Sequence, residues 1–257
     1  MHRFISAFLP FLLAACVSLP PPLSPESAAR LRTQKTVVAY FDQWESIRYM
    51  QKTYLVLGEA TTASSSTYSG IWDANKELSA LHASGFSRIG VPADSLYEVL
   101  TPTELADSLI EQKALASDYR NRLERESPLP QHFRDILLAR GYKNLVWITH
   151  DLPFSITIQP ILVPEEIRNS LFFFLSYYIY DLPANRIMFV GRTHFFSKFP
   201  VEGDSVKYFL EKDNLAVLKA MTTKHISDRY NVSKQMASPQ GGLTVGQFLG
   251  LEERPAP

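Results

Sequence analysis

Apolar positions between residues 35 and 230 fall into short runs whose spacing switches repeatedly between strand-like and helix-like. Lys35–Asp42 (KTVVAYFD) and Gln51–Gly58 (QKTYLVLG) are β-branched and aromatic runs of strand length. Ala60–Tyr68 is Ser/Thr-rich and reads as a polar loop or a frayed strand end. Apolar residues at 71, 74, 78 and 81 have helical spacing, and Gly85 followed by Phe86 predicts the helix stop. Phe86–Val91 (FSRIGV) then reads as a third strand. Thr101-Pro102-Thr103-Glu104 is a capping box that starts a helix at 102, running through Leu105, Leu109 and Leu115 to about Arg122. Ser127-Pro128 opens another helix, with Phe133, Ile136 and Leu137 on one side and Gly141 at its end. Asn144–Thr149 (NLVWIT) is continuously apolar, as a strand buried on both faces should be. Leu171–Tyr180 and Arg186–Phe196 flank Asp181-Leu182-Pro183-Ala184-Asn185, which predicts a hairpin. Ser205–Leu210 and Asn214–Tyr230 read as helices; in the second, Leu215, Leu218, Met221, His225 and Ile226 share a face and Asp213 can cap it. The resulting order, β-β-α-β-α-α-β-β-β-α-α, predicts a single α/β domain over 35–230, with α+β as the neighbouring class. It would be one mixed sheet with helices packed on it and a late antiparallel hairpin.

Both ends depart from this pattern. Residues 16–34 carry Pro20-Pro21-Pro22 and Pro25 and read as an extended, proline-rich tether. Residues 231–257 hold Ser238-Pro239-Gln240-Gly241-Gly242 and read as a poorly ordered tail. One apolar patch interrupts it, at Val245, Phe248, Leu249 and Leu251. Phe248 and Leu249 could form a docking peptide for a protein partner, or the patch could tuck back onto the domain.

The chain has 257 residues, of which 46% are hydrophobic and 20% charged, enough apolar material for a packed core. Basic and acidic residues balance at 26 each. No basic face is available to displace counterions, which argues against nucleic acid as a partner. The same balance argues against adhesion to anionic lipid through a polybasic patch. There is one cysteine, Cys16, so no disulfide can form within the chain and no Cys-based zinc site or nucleophile lies in the domain.

Phosphate-binding glycine loops, the G-x-S-x-G elbow and H-E-x-x-H are all missing from the sequence, and no cofactor is implied. The strongest candidate chemistry is His150-Asp151 at the end of the buried strand, with Ser155 following and Asp94-Ser95 past another predicted strand. Strand ends in α/β sheets are where sites gather, so a Ser/His/Asp hydrolase set can be drawn from these residues. The plainer reading makes Thr149-His150-Asp151 a polar turn ahead of Pro153. His194 in the hairpin is the one histidine that could join His150 on a metal, but no second ligand stands at a helpful spacing. His225, on the apolar face of the last helix, reads as a core histidine. The aromatic run Phe172–Tyr178 has the length of a membrane strand, yet one such hairpin makes no barrel, so it reads as a central sheet strand.

At the N-terminus, Met1-His2-Arg3 is positively charged and Phe4–Leu13 is an apolar run too short to span a bilayer as a helix, as in a signal peptide of residues 1–15. It ends in Leu13-Ala14-Ala15-Cys16, which resembles the lipobox of bacterial lipoproteins. The resemblance implies cleavage before Cys16, diacylglycerol on its sulfur, acylation of the new amine and stable anchoring to a membrane. Loss of residues 1–15 removes one basic residue, Arg3, and leaves the mature chain near −1. Val17 in place of Asp favours the outer membrane, facing the periplasm, in a Gram-negative host. Residues 130–230, with a Gly-ended helix, a buried strand and a hairpin on Tyr-Asp-x-Pro, resemble the α/β modules of envelope proteins of the TolB N-terminal and curli-secretion type. That likeness bears on fold, since fold does not carry function. The reading that follows is a lipid-anchored envelope module that binds or scaffolds a protein partner without catalysis. The rivals are a lipid-anchored hydrolase using His150 and Asp151, and a carrier of small apolar envelope molecules.

Overall fold

In the computed structural model the described residues are 21–41, 46–53, 62–69, 72–107, 129–150, 154–158, 170–198, 216–231 and 243–254. They form an α/β fold built on one mixed sheet. In chain order the elements are α1 (Pro25–Thr33), β1 (Thr36–Phe41), β2 (Ser46–Thr53), β3 (Thr62–Ser69), α2 (Ala74–Arg88), β4 (Ala93–Ser95), α3 (Leu96–Val99) and α4 (102–107). There follow α5 (Gln131–Ala139), β5 (Asn144–His150), β6 (Phe154–Ile158), β7 (Ser170–Asp181), β8 (Arg186–Lys198), α6 (Ala216–Arg229) and α7 (Val245–Leu249).

β1 lies between β4 and β5 and is parallel to both. β2 pairs with β6 in the same parallel sense as β1 with β5. Both β5 and β6 run antiparallel to β7. The sheet therefore reads from one edge as β4 and β3, then β1 with β2, then β5 with β6, then β7, then β8. β8 returns antiparallel along the whole of β7, closing the predicted hairpin over Asp181–Arg186.

Alternation along the central strands explains why helices cover both faces. Val38, Tyr40, Val146, Ile148, Leu175, Tyr177 and Ile179 are buried on one side, packed with residues of α1, α2, α6 and α7. Val37, Ala39, Phe41, Leu145, Trp147, Tyr178 and Tyr180 are buried on the other, packed with α3 and α5. The continuous apolar run 144–149 is thus a strand buried on both faces, as its sequence predicts. The capping box at Thr101 also forms: the Thr101 N–H donates to Glu104 Oε2 at 2.8 Å and the Glu104 N–H to Thr101 Oγ1 at 3.3 Å.

Four local expectations need correction. Phe86–Val91 is not a strand. α2 runs through Gly85 to Arg88, and the stop is Gly90, at φ 81°, with the Val91 N–H donating to the Phe86 carbonyl at 3.0 Å. Gly85 serves as a notch, because a Cβ there would fall inside the Tyr230 ring. Residues 25–33 of the expected tether are a helix: Pro25 stands at its start, the Ser27 N–H donates to Ser24 Oγ at 3.2 Å, and Arg30 and Arg32 occupy the last turn. Residues 243–254 of the expected loose tail are also folded. Thr244 and Gln247 make a capping box around α7, which Gly250 ends at φ 78°. Finally, β6 was absent from the predicted order, and Ala60–Tyr68 contributes a full edge strand, β3. The predicted helix at 205–210, the cap at Asp213, residues 108–122 and residues 54–58 lie outside the described residues, as do residues 1–20.

Candidate functional site

The register of the sheet decides what the candidate residues can do together. His150 is the last residue of β5 and pairs with Leu175, whereas Ser155 on β6 pairs with Phe172. Directly paired residues share a face, and positions 172 and 175 of one strand lie on opposite faces. By register, positions 150 and 155 therefore fall on opposite faces of the sheet. Asp151 lies outside the described residues. His194 pairs with Phe174, which places it on the face opposite His150 as well.

Asp94 and Ser95 are remote too. Asp94 is level with Val37 on β1 and Leu145 on β5, so it lies two strands from β5 and level with a position five residues before His150, about 16 Å along the strands at ~3.3 Å per residue. Asp94 Oδ2 accepts from the Tyr142 hydroxyl at 2.7 Å. Burial, aided by that carboxylate, pushes the Tyr142 phenol up. Phe248 and Leu249 are 2% and 0% exposed and belong to the core, so the exposed docking peptide is corrected to a segment tucked onto the domain. The Phe248 ring packs on Tyr177 and Phe189, with centroids 5.7 and 5.6 Å away. Gly191 lies under the same ring and has no room for a Cβ.

What the fold does concentrate is a polar aromatic cluster beneath α2 and the end of α6. His82 Nδ1 is 2.7 Å from the Tyr230 hydroxyl, and that hydroxyl also hydrogen-bonds to Tyr177. The His82 ring stacks on Tyr40 at 5.9 Å and meets Tyr177 edge-on at 6.3 Å. Arg229 donates to Thr193 Oγ1 at 3.2 Å beside this group. Burial drives the His82 imidazole down to about 3, so it is neutral, and among the described residues its Nε2 has no hydrogen-bond partner. Burial also raises both phenols, Tyr177 and Tyr230. His225, expected in the core, is buried and lowered to about 4, chiefly by burial. This buried group of phenols and imidazole ties α2 and the end of α6 to the sheet. Sequence reasoning missed it because its members come from four separate elements. The available signal was His82, four residues after Leu78 on the apolar face of α2.

Among the described residues no three His, Cys, Asp or Glu side chains gather as a metal site, and no helix is long and apolar enough to cross a membrane. No protein-family model matches the chain, and no curated protein matches it in sequence. Solved structures similar to it include lipoprotein GNA1162 from Neisseria meningitidis, at 9% identity and TM-score 0.32, covering 73% of this chain and 99% of that one. A PelC dodecamer from Paraburkholderia phytofirmans is similar at 8% identity and TM-score 0.31, covering 77% and 91%. The LpoB C-terminal domain from Salmonella enterica is similar at 9% identity and TM-score 0.25, covering 63% of this chain and 82% of that one.

Proposed function

We propose that the chain is an exported lipoprotein, acylated at Cys16, whose domain acts by binding an envelope protein partner. The observation that carries the reading is the placement of the single cysteine. It follows an apolar run and two small residues near the N-terminus. The proposed lipid supplies the membrane attachment.

The partner surface we assign is the outer edge of β8. Among the described strands β8 pairs only with β7, along Arg186–Lys198, which leaves a long main-chain edge of the kind that accepts an added strand. Val190, 39% exposed, is the large hydrophobic residue presented there. A photo-crosslinking residue at position 190 in the living host should give one discrete protein adduct. The same residue at Asp135, on α5, should give none. Absence of an adduct at 190 would remove β8 as the partner surface. Val190→Lys, which blunts an edge strand, should abolish the interaction that the adduct reports while shifting stability by no more than about 0.5 kcal/mol.

A further inference from the structure

The anchor implied by the sequence is far shorter than its proline content suggests, because the chain is fixed to the domain almost at once. The Leu23 N–H donates to the Leu249 carbonyl at 3.0 Å, and the Leu23 side chain is buried. Pro22 closes over Gly250 so tightly that a Cβ on Gly250 would press on it. Beyond Leu23, Ala28 and Leu31 of α1 enter the core, Arg30 pairs with Asp181 at 2.6 Å, and Arg32 donates to the Leu251 carbonyl. Cys16 stands seven chain steps before Leu23, with six residues between them. Fully extended, those steps reach about 25 Å, at ~3.5 Å each.

We infer that the face of the domain formed by α1 and α7 is held against phospholipid headgroups, while the opposite helical face, with α5, looks away from the bilayer. The inference rests on acylation of Cys16 and deepens that reading by giving the domain an orientation. The two faces lie on opposite sides of the sheet, since α1 and α7 pack in one core cluster and α5 in the other. The charged residues of α1 and of the segment after α7, namely Glu26, Arg30, Arg32, Glu252, Glu253 and Arg254, are three of each sign, so these elements carry no basic excess to attract lipid. The short latched anchor imposes the contact. The face is polar and rests at the headgroups without inserting.

The test uses the acylated protein purified from a bacterial host and reconstituted in phosphatidylethanolamine/phosphatidylcholine vesicles that carry an acceptor dye on a lipid. A donor dye is placed through an unnatural residue at Glu253, exposed just after α7, or at Asp135, exposed on α5. Transfer from 253 should exceed transfer from 135 by at least about threefold, since a sheet and a helix layer of about 10 Å each separate them. A Gly/Ser insertion of about 20 residues between Ser18 and Leu19, adding about 25 Å of mean reach, should lower transfer from 253 towards that from 135. Equal or reversed transfer in the uninserted protein overturns the orientation. An unchanged contrast after insertion overturns the short anchor as its cause. Where the host does not acylate Cys16, the lipoprotein reading has failed. The full chain then still has a single free thiol at Cys16, which a maleimide-headgroup lipid captures, and the same two transfers decide the geometry on their own.

Discussion

The hydroxyl of Tyr230 sits between two buried partners, His82 and Tyr177, so one oxygen connects α2, the end of α6 and the middle of β7. Tyr230→Phe keeps the ring and leaves both nitrogens of His82 without a partner. A buried group stripped of its hydrogen bond costs about 1–3 kcal/mol, and a denaturant titration should read a loss in that range. The same histidine makes the domain acid-sensitive. His82 and His225 fall to about 3 and about 4 in the fold, whereas an unfolded histidine titrates near 6.5. Between those values the unfolded chain binds more protons, so stability is complete above about pH 6.5. It is lost as pH falls towards 4, at about 1.4 kcal/mol per unit for each histidine. Glu104, held at about 2 by Arg140 and Thr101, loses its contribution at still lower pH. His82→Phe should flatten the profile between pH 6.5 and 4, and a profile of unchanged slope would refute the assignment. His150→Ala, by contrast, should leave both the fold and the host phenotype intact, because by register position 150 falls on the face opposite positions 155 and 194. A lost phenotype at normal stability would restore the hydrolase.

At the scale of the element, two glycines near the end of α2 show what sequence could and could not deliver. Gly85 followed by Phe86 looks like a helix stop, and Gly90 does not, because no apolar periodicity leads up to it. The difference between them is a tertiary contact: Tyr230, 145 residues away, needs the space at Gly85. Gly85→Ala should therefore destabilise by about 1–3 kcal/mol despite the better helix propensity of alanine. Gly90→Ala, with open space around it but φ at 81°, should cost about 1–2 kcal/mol through the backbone alone. α1 and α7 were misread for a related reason. Runs of proline, serine and glycine on either side suggest loose chain, and the few apolar residues inside them reveal their place only once Leu23 meets Leu249. Leu31 is fully buried, so Leu31→Ala should cost about 2–5 kcal/mol. A residue in a tether would give less than about 0.5 kcal/mol. β1, β5 and the β7–β8 hairpin, whose signals are local, were legible from spacing, whereas β3, β4 and β6 were not. The arrangement of β2 and β6 was not, because pairing partners across a mixed sheet are set by long-range register.

At the scale of the whole molecule, the described sheet has two helix-covered faces, with β8 as its outermost described strand on one side. Among the described residues the chain begins on the α1–α7 face, the α5 face lies opposite, and β8, where Val190 is exposed, pairs only with β7. In this arrangement the residues with chemical potential are dispersed, while the surfaces that could meet a membrane and a partner are distinct. Attachment at Cys16 is the claim on which the orientation and the envelope setting both depend. Feeding a bacterial host a clickable fatty acid and isolating the full chain beside Cys16→Ser tests it directly. The account predicts that the parent chain incorporates the label, migrates as the cleaved form and stays with membranes, while Cys16→Ser does none of these. Equal labelling and membrane retention in the two proteins would contradict it.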